Sequence, residues 1–284
     1  MFLSAISNRF RRARRATIAL SVPVIAASPV IAAALVASLV IAAAIDPAIA
    51  AGCAFAPQGE GRVTEVIDAR SFRLDDGRDV SLIGIEPVPA TDTNANRAAA
   101  LAAIIGGHEV TLRGDDDTPD RYGRQPAFVF IGSSDTPVQA TLLAQGAALV
   151  AATVADKECA ATLAAAEASA RIAKRGIWAD PAVIKNTESP GDILAGIGRF
   201  SVVEGKVLSV RQAGATTYLN FGRNWTRDFA VTIPKRMIPV FEGAGIMLKS
   251  LENRRIRVRG WIEARGGPRI EALRLGQIEL LGEN

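Results

Sequence analysis

Residues 61–85 read GRVTEVIDARSFRLDDGRDVSLIGI, and the architecture can be built outward from them. Apolar and polar residues alternate through GRVTEVID, SFRLDDG and RDVSLIGI, with Asp75, Asp76 and Gly77 as turn residues. Period-two runs bounded by turns predict three strands in a meander. The next segment, TNANRAAALAAIIGG, predicts a helix capped near Thr93 or Asn94 and stopped by Gly106 and Gly107. HEVTLRG and QPAFVFIG are strands, joined by the polar loop GDDDTPDRYGR. VQATLLAQG and KECAATLAAAEASARIAKRG have helical spacing and end at Gly146 and Gly176. Strands, helix, strands, helices is the order of a small OB-type β-barrel with helices packed on it, a mainly β, α+β fold.

Toward the C-terminus, residues 181–197 carry Pro181, Pro190, Gly191 and Gly196 with little periodicity, which predicts a linker. Beyond it FSVVEGKVLSV, TTYLNFG and DFAVTI read as strands, PVFEGAGIMLKSL as a helix, and RRIRVRGWIEA and PRIEALRL as two more strands. That order suggests a second OB-like barrel over 198–284, after a first domain over 54–180.

Toward the N-terminus, residues 1–50 combine Arg9, Arg11, Arg12, Arg14 and Arg15 with a long apolar run and small residues at Ala48 and Ala50. This is the pattern of an export signal, with cleavage after Ala50. The run from Ala16 to Ile45 is also long enough for an uncleaved membrane anchor, and AAGC leaves lipid attachment at Cys53 as a third reading. The expected destination is the periplasm or the exterior, with membrane attachment only through this segment.

The formal charge of +4 comes from the leader. By count, residues 54–185 are acidic by about five charges and 197–284 basic by about seven. Attraction to nucleic acid or another polyanion is therefore expected in the C-terminal part. Cys53 and Cys159, an even pair in an exported chain, are disulfide candidates, with two buried thiols as the alternative.

Several stretches fall in a known order. VIDARSFRL, VSLIGIEPVP, DRYGRQPAFVF, LLAQGAALV and AEASARIAKRGIWAD resemble the staphylococcal nuclease (thermonuclease) family over about residues 60–180. The resemblance implies an OB-like barrel with three helices, and calcium-dependent hydrolysis of DNA and RNA phosphodiesters. Such chemistry needs a cation on the phosphoryl oxygens, arginines against developing charge, and a carboxylate to orient water. Calcium in turn wants several oxygen ligands.

Here the pattern departs from the family. The family's aspartate-glycine-aspartate-threonine metal turn is Asp68, Ala69, Arg70, Ser71, so a cation stands where a ligand is expected. The first phosphate arginine falls on Ser81, the water-orienting glutamate on Pro89, and a nucleotide-contacting tyrosine near Ala152. What the resemblance leaves is Arg124 and Glu86 as remnant catalytic residues, with Asp68 and Glu86 as a weakened or lost calcium site. Arg121 and Tyr122 accompany Arg124. Arg70, with Arg121 and Arg124, could bind phosphate without a metal, or Arg70 could be a solvated turn residue paired with Asp68 or Glu86.

Other candidates are weaker. The run Asp115, Asp116, Asp117 with Asp120 lacks the glycine and spacing of an EF-hand, and a solvated loop is expected. His108, the only histidine, follows two glycines as a turn residue. No phosphate-binding glycine loop, nucleophile elbow or zinc-type CxxC pair occurs. On the last domain, alternation puts Arg255, Arg257, Arg259 and Trp261 on one face of a strand. With Tyr218, and with Phe221 and Trp225 as further aromatics, that face could bind single-stranded nucleic acid, or it could be an ordinary basic barrel surface. The expected function is an exported nuclease homologue, catalytically impaired, that binds nucleic acid or another polyanion. The alternatives are a metal-dependent phosphodiesterase with a rearranged site and an envelope protein-interaction module.

Overall fold

The computed structural model describes residues 53–88 and 94–282, with side chains for all of these except 94–97. The expected leader and Pro89 lie outside the described residues.

The three-strand meander is present as β1 (Pro57–Asp68), β2 (Ser71–Leu74) and β3 (Asp79–Leu82). It is followed by β4 (Ile85–Pro87), α1 (Asn94–Ile105), β5 (Glu109–Arg113) and β6 (Gln125–Ile131). The order β1-β2-β3-β6-β5 closes into a barrel in which only β3 and β6 run parallel. Phe72, Leu74, Val80, Leu82, Val110, Leu112 and Phe128 fill it. Along β6, four successive residues, Ala127 to Phe130, are buried, because α2 (Val138–Ala144) covers the outer face. There the Gln139 side chain donates to Ala127 O (2.9 Å) and accepts from Val129 N (3.3 Å), which satisfies backbone groups that burial would strand.

β7 (Ala148–Val150) and α3 (Lys157–Ile172) complete the first domain. Asp156 caps α3 by accepting from Cys159 N, and Cys159 is bonded to Cys53. Gly146 and Gly176 meet back to back, where a Cβ on Gly146 would lie 2.2 Å from Arg175 O and one on Gly176 2.5 Å from Gln145 O. This contact, with positive φ at both, accounts for the two glycines that end the helical runs.

The expected linker is instead folded. Its 3₁₀ turn Pro181–Val183 leads into β8 (Ile184–Asn186), which pairs parallel with β9 (Phe200–Lys206), and then into α4 (Pro190–Leu194). Pro190 starts α4 instead of breaking structure, since an N-terminal helical position needs no N–H, and Ile193 enters the core of the second domain. The remaining elements are β10 (Ser209–Ala213), β11 (Thr216–Asn220), β12 (Ala230–Pro234) and α5 (Ile238–Gly243). They are followed by β13 (Arg255–Trp261), β14 (Glu263–Arg265), β15 (Gly267–Glu271) and β16 (Ile278–Leu280).

These strands form two sheets, β10-β11-β12-β15-β14 and β16-β13-β9-β8, around one apolar core. β9 runs on into β10, and β13 into β14, so two chain segments each serve both sheets. The strands therefore follow the circuit of the first barrel, with β12 and β15 as the parallel pair in place of β3 and β6. The expected helix over PVFEGAGIMLKSL is broken at Gly245 (φ +83°) and resumes as a 3₁₀ turn at Leu248–Leu251.

Candidate functional site

Around the first barrel's opening, the turn between β1 and β2 is held by Asp68, whose Oδ1 accepts the backbone N–H of Arg70 at 2.9 Å. That bond points the carboxylate inward to its own loop. The Arg70 guanidinium reaches Glu86 Oε2 on β4 at 3.3 Å. β4 is in turn fixed by β7, with Glu86 opposite Leu149. Burial pushes the Glu86 carboxyl above the ordinary carboxylate range, against the opposing pull of Arg70.

Arg124, at the entry to β6, is equally engaged. Its Nε and Nη2 donate to Asp120 Oδ2 at 3.0 and 2.8 Å, and its Nη1 donates to Ser71 Oγ at 3.1 Å. Asp120 Oδ1 also accepts from the backbone N–H groups of Tyr122 and Arg124. Although burial works the other way, these bonds hold the Asp120 carboxyl below its ordinary range. Tyr122 is exposed, with Arg121 4.7 Å and Arg124 5.1 Å from its ring. Ser81, opposite Ser71 in the β2–β3 pair, is buried.

Arg70 and Arg124 each already meet a carboxylate of the first domain, Glu86 and Asp120. Arg70 is the paired turn residue, with Glu86 as its partner. Asp68 Oδ1 accepts a backbone N–H and Glu86 faces the Arg70 guanidinium. Among the described residues no three His, Cys, Asp or Glu side chains gather as a metal group, the Asp115–Asp117 run included.

The strand expected to offer a basic face needs a correction. Arg255, Arg257, Arg259 and Trp261 do share one face of β13, but its two central arginines are buried and its two end residues are left to solvent. Arg257 and Arg259 are buried, at 8% and 5% exposure. Arg259 Nη1 donates to Glu167 on α3 (3.0 Å) and to Val150 O on β7 (3.2 Å). Arg257 bridges Glu204 on β9 and Glu279 on β16. Around them Leu149, Ala170, Trp178, Phe200 and Val202 form an apolar cluster built from both domains. Arg255 and Trp261, at the strand ends, stay exposed, and Trp261 lies edge-on to Phe200. Tyr218, half-buried on β11, sits opposite Arg211 of β10.

Sequence reasoning missed Glu167, Glu204 and Glu279, the carboxylates that claim the β13 arginines. Glu167 lies in the AEASARIAKRGIWAD stretch, but nothing local marks its partners: it is 1% exposed, accepts from Val150 N on β7 and meets Arg259 on β13.

Residues 92–180 match the model of the family described as Staphylococcal nuclease homologue. Together with the closed five-strand barrel, this identifies the first domain as SNase-like and OB-type. The matched span holds Asp120, Arg124 and Glu167, whereas Asp68, Arg70, Ser81 and Glu86 precede it. No curated protein matches the chain.

Proposed function

We propose, with an SNase-like domain as the premise, that the protein is an exported nuclease homologue with impaired catalysis that binds nucleic acid or another polyanion. A nuclease-family domain supports nucleic-acid binding in general. The observation that carries the impairment is the Arg70–Glu86 contact of 3.3 Å. A guanidinium fixed to the chain sits against the Glu86 carboxylate, and Pro89 stands where the resemblance expects the water-orienting glutamate. Losing a positioned acid-base or charge-stabilising group costs about two or more orders of magnitude in rate. Export is supported by the leader pattern and by the Cys53–Cys159 disulfide, a bond that persists in oxidising compartments outside the cytoplasm. Among the described residues no helix is long and apolar enough to cross a membrane.

The test is hydrolysis of single-stranded DNA, duplex DNA and RNA by the disulfide-bonded protein, with calcium or a chelator, beside Arg124→Ala. The expected result is no calcium-dependent cleavage above that variant, together with salt-sensitive oligonucleotide binding. Calcium-dependent turnover abolished by Arg124→Ala would overturn the impaired reading.

A further inference from the structure

The second domain carries an aromatic and basic patch that no pairing in the fold absorbs. The loop from Phe221 to Phe229 connects β11 to β12 and presents Trp225, which is 76% exposed. The exposure is built in. Asn224 N donates to Asp228 Oδ2 (2.8 Å), Asn224 Oδ1 accepts from Thr226 N and Oγ1, and Asp228 N returns to Asn224 O at 2.7 Å. These bonds brace the loop, so the indole is held outward and does not fold into the core.

The ring rests on the β14–β15 turn. One edge of the indole lies against Gly266, whose positive φ (+81°) makes the tight turn there. Arg223 and Arg227 flank Trp225 in the loop, and Arg265 ends β14, next in the chain to Gly266. All three are exposed. Arg227 meets only the adjacent Asp228 at 3.3 Å, and among the described residues Arg223 and Arg265 form no ion pair. No cation stacks on the Trp225 ring among those residues either, whereas Tyr122 in the first domain has two.

We infer that this patch is a stacking site for single-stranded nucleic acid, an inference that rests on the polyanion-binding reading above. A base needs an open, flat π-face, and its backbone phosphates need cations not already neutralised by carboxylates. Trp225 supplies the face, and Arg223 and Arg265 supply the cations. Convergence of the second-to-third and fourth-to-fifth strand loops puts the patch at one end of the circuit, where a strand of nucleic acid can lie across both. A duplex keeps its bases stacked and buried, so the patch discriminates against it.

The experiment titrates the disulfide-bonded protein with a dT oligonucleotide and with duplex DNA of equal charge, following tryptophan fluorescence and anisotropy at several salt concentrations. Quenching on binding dT is expected, with Trp225→Ala weakening it about tenfold or more and Trp225→Phe recovering part of the loss. Arg223→Ala with Arg265→Ala should lower the slope of log affinity against log salt by about 1.4, two phosphate contacts at about 0.7 each. If dT binds but Trp225→Ala changes nothing, the patch is wrong while the polyanion reading stands. Equal affinity for duplex would remove stacking as the mechanism. Failure of the wild type to bind any oligonucleotide would overturn both readings.

Discussion

In the first barrel Arg70 and Arg124 each meet a carboxylate of their own domain, Glu86 and Asp120. In the second, Arg259 of β13 meets Glu167 of the neighbouring domain and Arg257 meets Glu204 and Glu279 of its own, whereas among the described residues the arginines near Trp225 are left with at most Asp228. The strand circuits are the same, so the difference is one of what packs on each barrel. A guanidinium is available to a ligand only where the fold has not already given it a carboxylate, and basic composition does not reveal that.

The largest effect that probes this contrast is at the junction. Glu167→Ala leaves Arg259 buried with only Glu279, at 3.8 Å, as a carboxylate neighbour and strips Val150 N of its acceptor, and should cost about 3–5 kcal/mol in urea or thermal unfolding. Arg259→Ala should cost a similar amount, and the double variant clearly less than the sum of the two. Additive losses would mean that the pair is not coupled and that the apolar cluster alone joins the domains.

Next is the disulfide, which closes a span of 106 residues within the first domain only. Replacing both cysteines by alanine should cost about 2–4 kcal/mol. Hydrogen exchange should then rise in β1–β7 and leave the buried strands β9 and β13 unchanged. An equal rise in both would show that the two barrels open as one unit.

The smallest effect concerns Glu86. Its folded carboxyl binds a proton more tightly than in the unfolded chain, so its contribution to stability is complete in acid and is lost as pH rises through the raised value. Glu86→Gln should flatten stability over the pH range just above the ordinary glutamate value. In an NMR titration, Arg70→Ala should push the Glu86 midpoint higher still, since the arginine is what pulls it down. An unmoved midpoint would break the ion-pair account of the site.

The meander, the helices of the first domain and the cysteine pair were all legible in the sequence. Each rests on local periodicity or a simple count, as with the alternation of Val80 and Leu82 or the glycines Gly146 and Gly176 that end the helical runs. The folded segment 181–197 was not legible, because three residues of β8 and five of α4 are too short to show a period. β4 and β7, three residues each, escaped for the same reason, yet they are what position Glu86.

At the site, the reading of Arg70, Ser81 and Pro89 as replacements rests on the family resemblance alone, and all three positions precede the matched span 92–180. The sequence was enough to place Arg257 and Arg259 on one strand face, because side chains on a strand alternate with period two. Only the tertiary structure decided that Arg259 on this face meets Glu167, that Arg70 meets Glu86 and that Trp225 stays 76% exposed. Which charge neutralises which depends on groups 92 positions apart along the chain at Arg259 and Glu167, and only folding brings them within hydrogen-bond range.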